Sequence, residues 1–229
     1  MLIATRNLHK AGEIQAILGQ EFQMLTLKDF PEAPKVVEDA ETFAGNARKK
    51  AEQLARWLEA HPAWMGRHPS LTHVLADDSG LEVAALGGAP GVHSARFAAP
   101  GHHENSTDAE NNAKLLRLLK DVSPEKRTAR FRCVVALARI VAPDLPPTNA
   151  SPVCYAGAPA AETLVFDGVC EGKIIQAGSG KGGFGYDPLF VPAGFNQTFA
   201  ELGDEIKNQL SHRAKALAKL KNYFNKLAI

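Results

Sequence analysis

Strand-like and helix-like segments alternate along this chain, and that order constrains the fold more than any other feature of the sequence. Leu2-Ile3-Ala4-Thr5 is a short strand candidate; Ile14, Ile17 and Leu18 then recur at helical spacing, and Gly19 suits a helix stop. Phe22 to Leu27 predicts a second strand, followed by the acidic, proline-containing loop KDFPEAPKVVEDAE. Phe43, Ala47, Ala51, Leu54, Ala55 and Leu58 keep one apolar stripe, as a long helix would. A loop, HPAWMGRHPSLTH, delivers the chain to the apolar run Val74-Leu75-Ala76. Thr107 and Glu110 form a capping-box signature ahead of Leu115, Leu116, Leu118 and Leu119. Arg130–Val141 and Leu164–Ile175 are rich in strand formers, with a Pro-, Ala- and Ser-rich insertion between them. Ile206, Leu210, Ala214, Leu217, Leu220, Phe224 and Leu227 step by three or four, predicting one last helix. Interleaving of this kind argues for an α/β architecture with a mixed sheet. No repeat or composition break divides the 229 residues.

A formal net charge of +1 gives no global pull toward nucleic acid or an anionic membrane, so a phosphate site must be built locally. Cys133, Cys154 and Cys170 lack the C-x-x-C spacing of a zinc ribbon, and their odd number suggests no disulfide framework. The first residues show no leader pattern, and no apolar run approaches the ~18 residues of a membrane span. The expectation is a soluble, cytoplasmic protein with neither nucleic-acid nor membrane partners.

Four segments carry candidate chemistry. HVLADDSGLEVAAL reads as a strand that ends on Asp77 and Asp78 and turns at Ser79-Gly80. Alternation aims the two acids in different directions, and hard oxygens there suit Mg²⁺. ATRNLHKAGEI places Thr5, Asn7 and Lys10 where free helix N–H groups can bind an anion. AGSGKGGFGYDPLF sets five glycines, Gly178 to Gly185, beside Phe184 and Tyr186, without the Ser or Thr of a Walker A loop. EIKNQLSHRAKAL gathers Lys207, Ser211, His212 and Arg213, mostly hydrogen-bond donors. Taken singly, each also fits a plain structural reading: a solvated turn, a helix cap, a packed hairpin, a basic helix start.

In this order the four segments resemble the inosine triphosphatase family of noncanonical purine nucleoside triphosphate pyrophosphatases, also called Ham1-like or RdgB-like. The resemblance implies an elongated mixed central sheet flanked by helices, with residues 1–229 forming one domain of two lobes and an active-site cleft between them. It implies hydrolysis of ITP, dITP and XTP to monophosphate and pyrophosphate, with Mg²⁺, in a homodimer. Carried onto this sequence, Thr5, Arg6, Asn7, Leu8, His9 and Lys10 would hold the triphosphate. Asp78 would be the general base or metal-linked carboxylate, with Ser79 on the phosphates. Glu38 matches the second metal-associated acid, with Glu41 close beside it, and Lys50 matches a phosphate-contacting lysine. Phe184, Gly185, Tyr186, Asp187, Lys207, His212 and Arg213 would form the base pocket. Three departures stand out: Arg6 where the family usually has glycine, Gly45 where a glutamate is usual, and longer loops at His61–Thr72 and Ala142–Ala161.

Selectivity would come from the purine edge, because inosine and xanthosine present a carbonyl where adenine presents an amino donor. Hydrogen-bonding pockets discriminate by up to about 10⁴–10⁵, against roughly 10² for apolar ones. Two other readings stay open at this point: a hydrolase releasing orthophosphate, and a nucleotide-binding or sensing protein without turnover.

Overall fold

The computed structural model describes residues 1–99, 105–141 and 162–227, so the insertion expected at 142–161 lies outside the described residues. Six strands form one sheet in the order β2-β1-β3-β4-β5-β6. They are β1 (Leu2–Ile3), β2 (Leu25–Thr26), β3 (His73–Val83), β4 (Thr128–Arg139), β5 (Leu164–Ile174) and β6 (Phe190–Pro192). β1 runs parallel to β2 and β3, and the other pairs are antiparallel. The helices are α1 (Leu8–Leu18), α2 (Phe43–Glu59), α3 (Pro62–Arg67), α4 (Asp108–Leu118), α5 (Phe199–Leu210) and α6 (His212–Leu227). The fold is a mixed sheet flanked by helices, as the alternation predicts. No helix among the described residues is long and apolar enough to cross a membrane.

α2 covers one sheet face, setting Ala47, Ala51, Leu54 and Leu58 against Val74, Ala76, Val134 and Ala136. α1 and α6 cover the other with Ile14, Leu18, Leu217 and Leu220 against Ile3, Leu75, Cys133 and Val135. Farther along that second face, Leu81, Val83, Ala129 and Phe131 join Leu115, Phe190 and Phe199 in a separate apolar cluster. Side chains alternate along a strand, so residues 75, 77, 79, 81 and 83 share this face. Its apolar lining is interrupted at Asp77 and Ser79, and the polar site occupies the interruption.

Several expectations change. β3 does not end on its acids: Asp77, Asp78, Ser79 and Gly80 pair in unbroken register with Val135, Val134, Cys133 and Arg132 of β4. Gly80 serves packing rather than a turn, because a Cβ there would lie 2.4 Å from Ser94 Oγ and 2.5 Å from the Gly91 carbonyl. The last helix is two helices. Ser211 is extended and caps α6, its Oγ accepting from Ala214 N at 3.2 Å. α5 itself starts at a capping box of Thr198 and Glu201 that the apolar periodicity does not reveal. β1 and β2 are shorter than expected, and the loop before β3 contains α3.

Gly168 fixes how closely α6 lies on β5, because a Cβ there would sit 2.1 Å from the His212 carbonyl oxygen and 2.5 Å from Ala216 N. Gly168→Ala is expected to lower unfolding free energy by about 2–3 kcal/mol, as overpacking does. Gly12 of α1 has open space around its Cα, so Gly12→Ala should gain about 0.5–1 kcal/mol from helix propensity. Urea unfolding of both variants checks the pair, and a neutral Gly168→Ala would mean that α6 can retreat without loss.

Candidate active site

β1 stops at Ile3, opposite Leu75. Ala4 N still donates to Leu75 O at 2.7 Å, but beyond it β3 has no strand neighbour on that side among the described residues. Alternate backbone groups of β3 therefore face side chains instead of a strand. Lys50 Nζ donates to the Asp77 carbonyl at 2.6 Å, Asp78 Oδ1 accepts from Ser79 N at 3.1 Å, and Ser94 Oγ accepts from Leu81 N at 2.9 Å. A buried backbone group left unpaired costs about 1–3 kcal/mol, so these side chains complete the edge. The acids lie mid-strand, where the parallel neighbour has run out.

Asp78 faces α2. Asn46 Nδ2 donates to its Oδ2 at 3.1 Å, and Lys50 Nζ lies 3.8 Å from Oδ1 and 3.1 Å from Glu38 Oε2. Burial pushes the Asp78 carboxyl up to about 6, against the pull of Lys50 and Lys10, with Glu38 adding to the rise. Two carboxylates thus converge on one ammonium, whereas Glu41 is exposed. Asp78 and Glu38 offer hard oxygens, and no group of three or more His, Cys, Asp or Glu among the described residues forms a closed cage. Such a pair suits Mg²⁺, which keeps waters and takes phosphate oxygens, and does not suit structural zinc.

Asp77 faces α1 and α6. Its Oδ2 meets Lys10 Nζ and Arg213 Nη2, each at 3.1 Å, and accepts from Ser79 Oγ at 3.1 Å, while its buried Oδ1 has no partner. Burial alone would raise its pKa, but Lys10, Arg213 and Lys50 together hold it well below the usual carboxylate range. For Lys10, burial opposes the charge and Asp77 with its acidic neighbours outweighs it, so the ammonium stays protonated. In the turn before α1, Asn7 Oδ1 accepts from Lys10 N at 3.1 Å and Thr5 Oγ1 from Asn7 N at 3.2 Å. Leu8 is exposed, and Arg6 reaches sideways to the Ala33 carbonyl at 2.8 Å.

The expected base-pocket residues gather around Phe184. His9 stacks on its ring at 5.3 Å, and Lys207 Nζ lies 4.4 Å from the ring centroid. Lys207 and Arg213 are each held by two carboxylates. Lys207 pairs with Glu13 at 2.5 Å and Asp187 at 2.6 Å, while Arg213 pairs with Glu13 and Asp77. Asp187 also accepts from Phe184 N at 2.9 Å, bracing the loop; burial raises its pKa despite Lys207. Gly185 N donates to Asp108 Oδ2 at 2.6 Å, and Tyr186 Oη to the Ser94 carbonyl at 2.9 Å. His212 stacks on Phe131 at 4.8 Å with Nδ1 unpartnered. Burial and Arg213 hold it well below the usual imidazole value, so it is neutral.

Sequence reasoning missed Asn46, Glu13, Ser94 and Arg96. Asn46 precedes Lys50 by four on the buried side of α2, and a polar residue beside an apolar stripe is the available signal. Glu13 follows Lys10 by three on α1, yet its partners lie about 200 residues away, at Lys207 and Arg213. The Gly45 departure has a steric reason: a Cβ there would stand 2.8 Å from Ala40 Cβ.

Asp78 should reduce the stability of the ligand-free protein. Its folded pKa lies above the ordinary 3.8, so between about pH 4 and 6 the fold keeps a proton the unfolded chain has released. Stability therefore falls as pH rises through that window. Asp78→Asn is expected to add about 1–3 kcal/mol near pH 7.5, within the ~1.4 kcal/mol per pH unit of linkage, and about nothing near pH 4. Urea titrations of metal-free protein at both pH values measure this, and a variant less stable near pH 7.5 would contradict it.

The family model for the Ham1 family matches residues 1–223. A relative named dITP/XTP pyrophosphatase from Shouchella clausii is 42% identical over 96% of this chain and 94% of its own length. One of the same name from Geobacillus kaustophilus is 45% identical, over 96% and 91%. The Staphylococcus aureus Ham1 protein superposes with a TM-score of 0.73 at 32% identity, covering 98% of this chain and 97% of that one. A HAM1 protein from Coxiella burnetii gives 0.73 at 34%, covering 98% of each. These matches take in every element from β1 to α6, and the chain belongs to the Ham1 family.

Proposed function

We propose that this protein hydrolyses the noncanonical purine nucleoside triphosphates ITP, dITP and XTP to the monophosphate and pyrophosphate, removing them from the cytoplasmic nucleotide pool as a homodimer. The observation that carries the reading is Asp78: a buried carboxyl with its pKa pushed up to about 6, flanked by Lys50 and Glu38 and one residue from the Asp77–Lys10 pair. A base works best when its pKa lies near the operating pH. The names of the relatives, dITP/XTP pyrophosphatase, agree with it.

Attack at the α-phosphorus expels the β,γ unit as pyrophosphate, so one water must lose a proton while three phosphates are held. Asp78 accepts that proton, and Asn46 keeps its carboxylate aimed. Lys10 and the free N–H groups at the start of α1 receive the phosphate tail. Asp78 and Glu38 would hold Mg²⁺, which when bound would neutralise charge on the phosphates. Phe184 offers a stacking face for the purine, and the Lys207 ammonium above it has a third N–H beyond those held by Glu13 and Asp187. That donor suits the carbonyl of inosine or xanthosine and repels adenine's amino group.

A panel of nucleoside triphosphates with Mg²⁺, scored for pyrophosphate, is expected to favour ITP, dITP and XTP over ATP. Release of orthophosphate from the triphosphate would refute the reaction class. Asp78→Asn should lower kcat by about 10²–10⁴, the range for loss of a general base, while nucleotide still binds; near-normal turnover would remove Asp78 from the role.

A further inference from the structure

Residues 27–42, between β2 and α2, form no helix or strand, yet they carry Glu38. An irregular stretch of this length in a compact fold is usually functional. Its course is fixed by groups outside it. Phe30 is fully buried, its ring 5.3 Å from Trp64 and 5.1 Å from His68. Arg6 holds the Ala33 carbonyl, and Asn46 holds both backbone groups of Ala40, accepting from N at 2.9 Å and donating to O at 3.3 Å. At Glu38 itself the grip comes from Arg96, whose Nη2 donates to the Glu38 carbonyl at 3.0 Å. The adjacent Lys49–Asp39 pair is exposed, and such pairs contribute only about 0–1 kcal/mol.

Arg96 closes the short 3₁₀ segment Gly91–Arg96. Ser94 anchors that segment on β3, its Oγ accepting from Leu81 N and donating to the Gly91 carbonyl at 2.6 Å. The Ser94 carbonyl accepts from Tyr186 Oη, which belongs to the glycine-rich loop. One segment therefore touches the strand of Asp78, the backbone of Glu38 and the loop of Phe184. A guanidinium bond to a main-chain carbonyl fixes the backbone while leaving the Glu38 carboxylate available.

We infer that Arg96 is a positioning residue: through the Glu38 carbonyl it sets the Glu38 carboxylate beside Lys50 and Asp78, and the Ser94–Tyr186 bond ties that setting to the purine side of the site. The inference rests on the functional reading above, in which Glu38 helps hold Mg²⁺. Misplacing a reacting or supporting group by about 1 Å can lower a rate about 10²-fold.

The test is a double-variant cycle on the full chain. Arg96→Met is expected to lower kcat by about 10- to 100-fold with KM within about twofold, the size of a misplaced group. If Arg96 acts through Glu38, then Arg96→Met/Glu38→Gln should turn over no more slowly than Glu38→Gln alone. Losses that multiply would overturn the inference, as would wild-type turnover in Arg96→Met. A second readout needs no turnover: the Mg²⁺-dependent rise in Tm of the nucleotide-free protein should shrink equally in Arg96→Met and Glu38→Gln, and an undiminished rise in Arg96→Met alone counts against it. Should the methionine variant fail to fold, Arg96→Lys, which keeps one donor, is expected to retain most turnover; a folded lysine variant as slow as Glu38→Gln would overturn the inference. Absence of pyrophosphate release by the wild type defeats the functional reading instead, and the Tm arm still tests the Arg96–Glu38 coupling.

Discussion

The site exists because β1 is two residues long. A parallel neighbour running the full length of β3 would satisfy the backbone groups of Asp77, Ser79 and Leu81, and no side chain would be needed there. With β1 ending at Ile3, those groups recruit Lys50, the Asp78 carboxylate and Ser94. The chain leaving β1 turns into α1, whose first N–H groups and Lys10 arrive at the same place. Open α/β sheets gather ligands outside the carboxyl ends of their parallel strands. Here the opening is made by the short strand, while the longer one continues beneath it as a floor.

A line of buried charges crosses from this edge to the aromatic loop: Asp77, Arg213, Glu13, Lys207 and Asp187. Buried ions are stable only as a paired set, because desolvation of each is costly and removal of one partner strands the next. The line therefore couples position as well as charge. Lys207 and Arg213 come from different helices, separated by the Ser211 break, and Glu13 from a third holds both. A nucleotide spanning phosphate turn and aromatic loop would bridge the two ends of one electrostatic unit.

Periodicity made the helices and the central strands legible, because α2 and α6 bury regular stripes. It failed where a local signal competes with the pattern. Ser211 lies at a position the stripe passes through, yet its hydroxyl caps the next helix, so one predicted helix became two. Asp-Asp-Ser-Gly looks like a turn, but β4 pairs with it throughout and Gly80 makes room for Ser94. Lys50 came only through the family resemblance, whereas Lys10 and Asp78 were readable because charged residues next to apolar runs are conspicuous. Asn46, Ser94 and Arg96 were not, since their work is hydrogen bonding to backbone that only the folded chain brings within reach. Lys207 and Arg213 were found by type, while their pairing with Glu13 depends on contacts across nearly the whole sequence.

Asp77 and Asp78 show how environment divides labour between identical side chains. They are adjacent, so strand geometry sends them to opposite faces. Asp77 falls between two cations and stays ionised, holding Lys10 and Arg213 in place. Asp78 falls among Asn46, Lys50 and Glu38, where burial and a neighbouring acid outweigh Lys50 and Lys10 and push its carboxyl up to about 6. Titratable groups whose surroundings push their pKa values apart are a mark of acid–base chemistry. A register slip of one residue would carry Ser79 into the place of Asp78, or Ala76 into the place of Asp77, so one of the two positions would lose its carboxylate. The unbroken β3–β4 ladder prevents that slip, so the same backbone pairing that corrects the turn reading also assigns the roles.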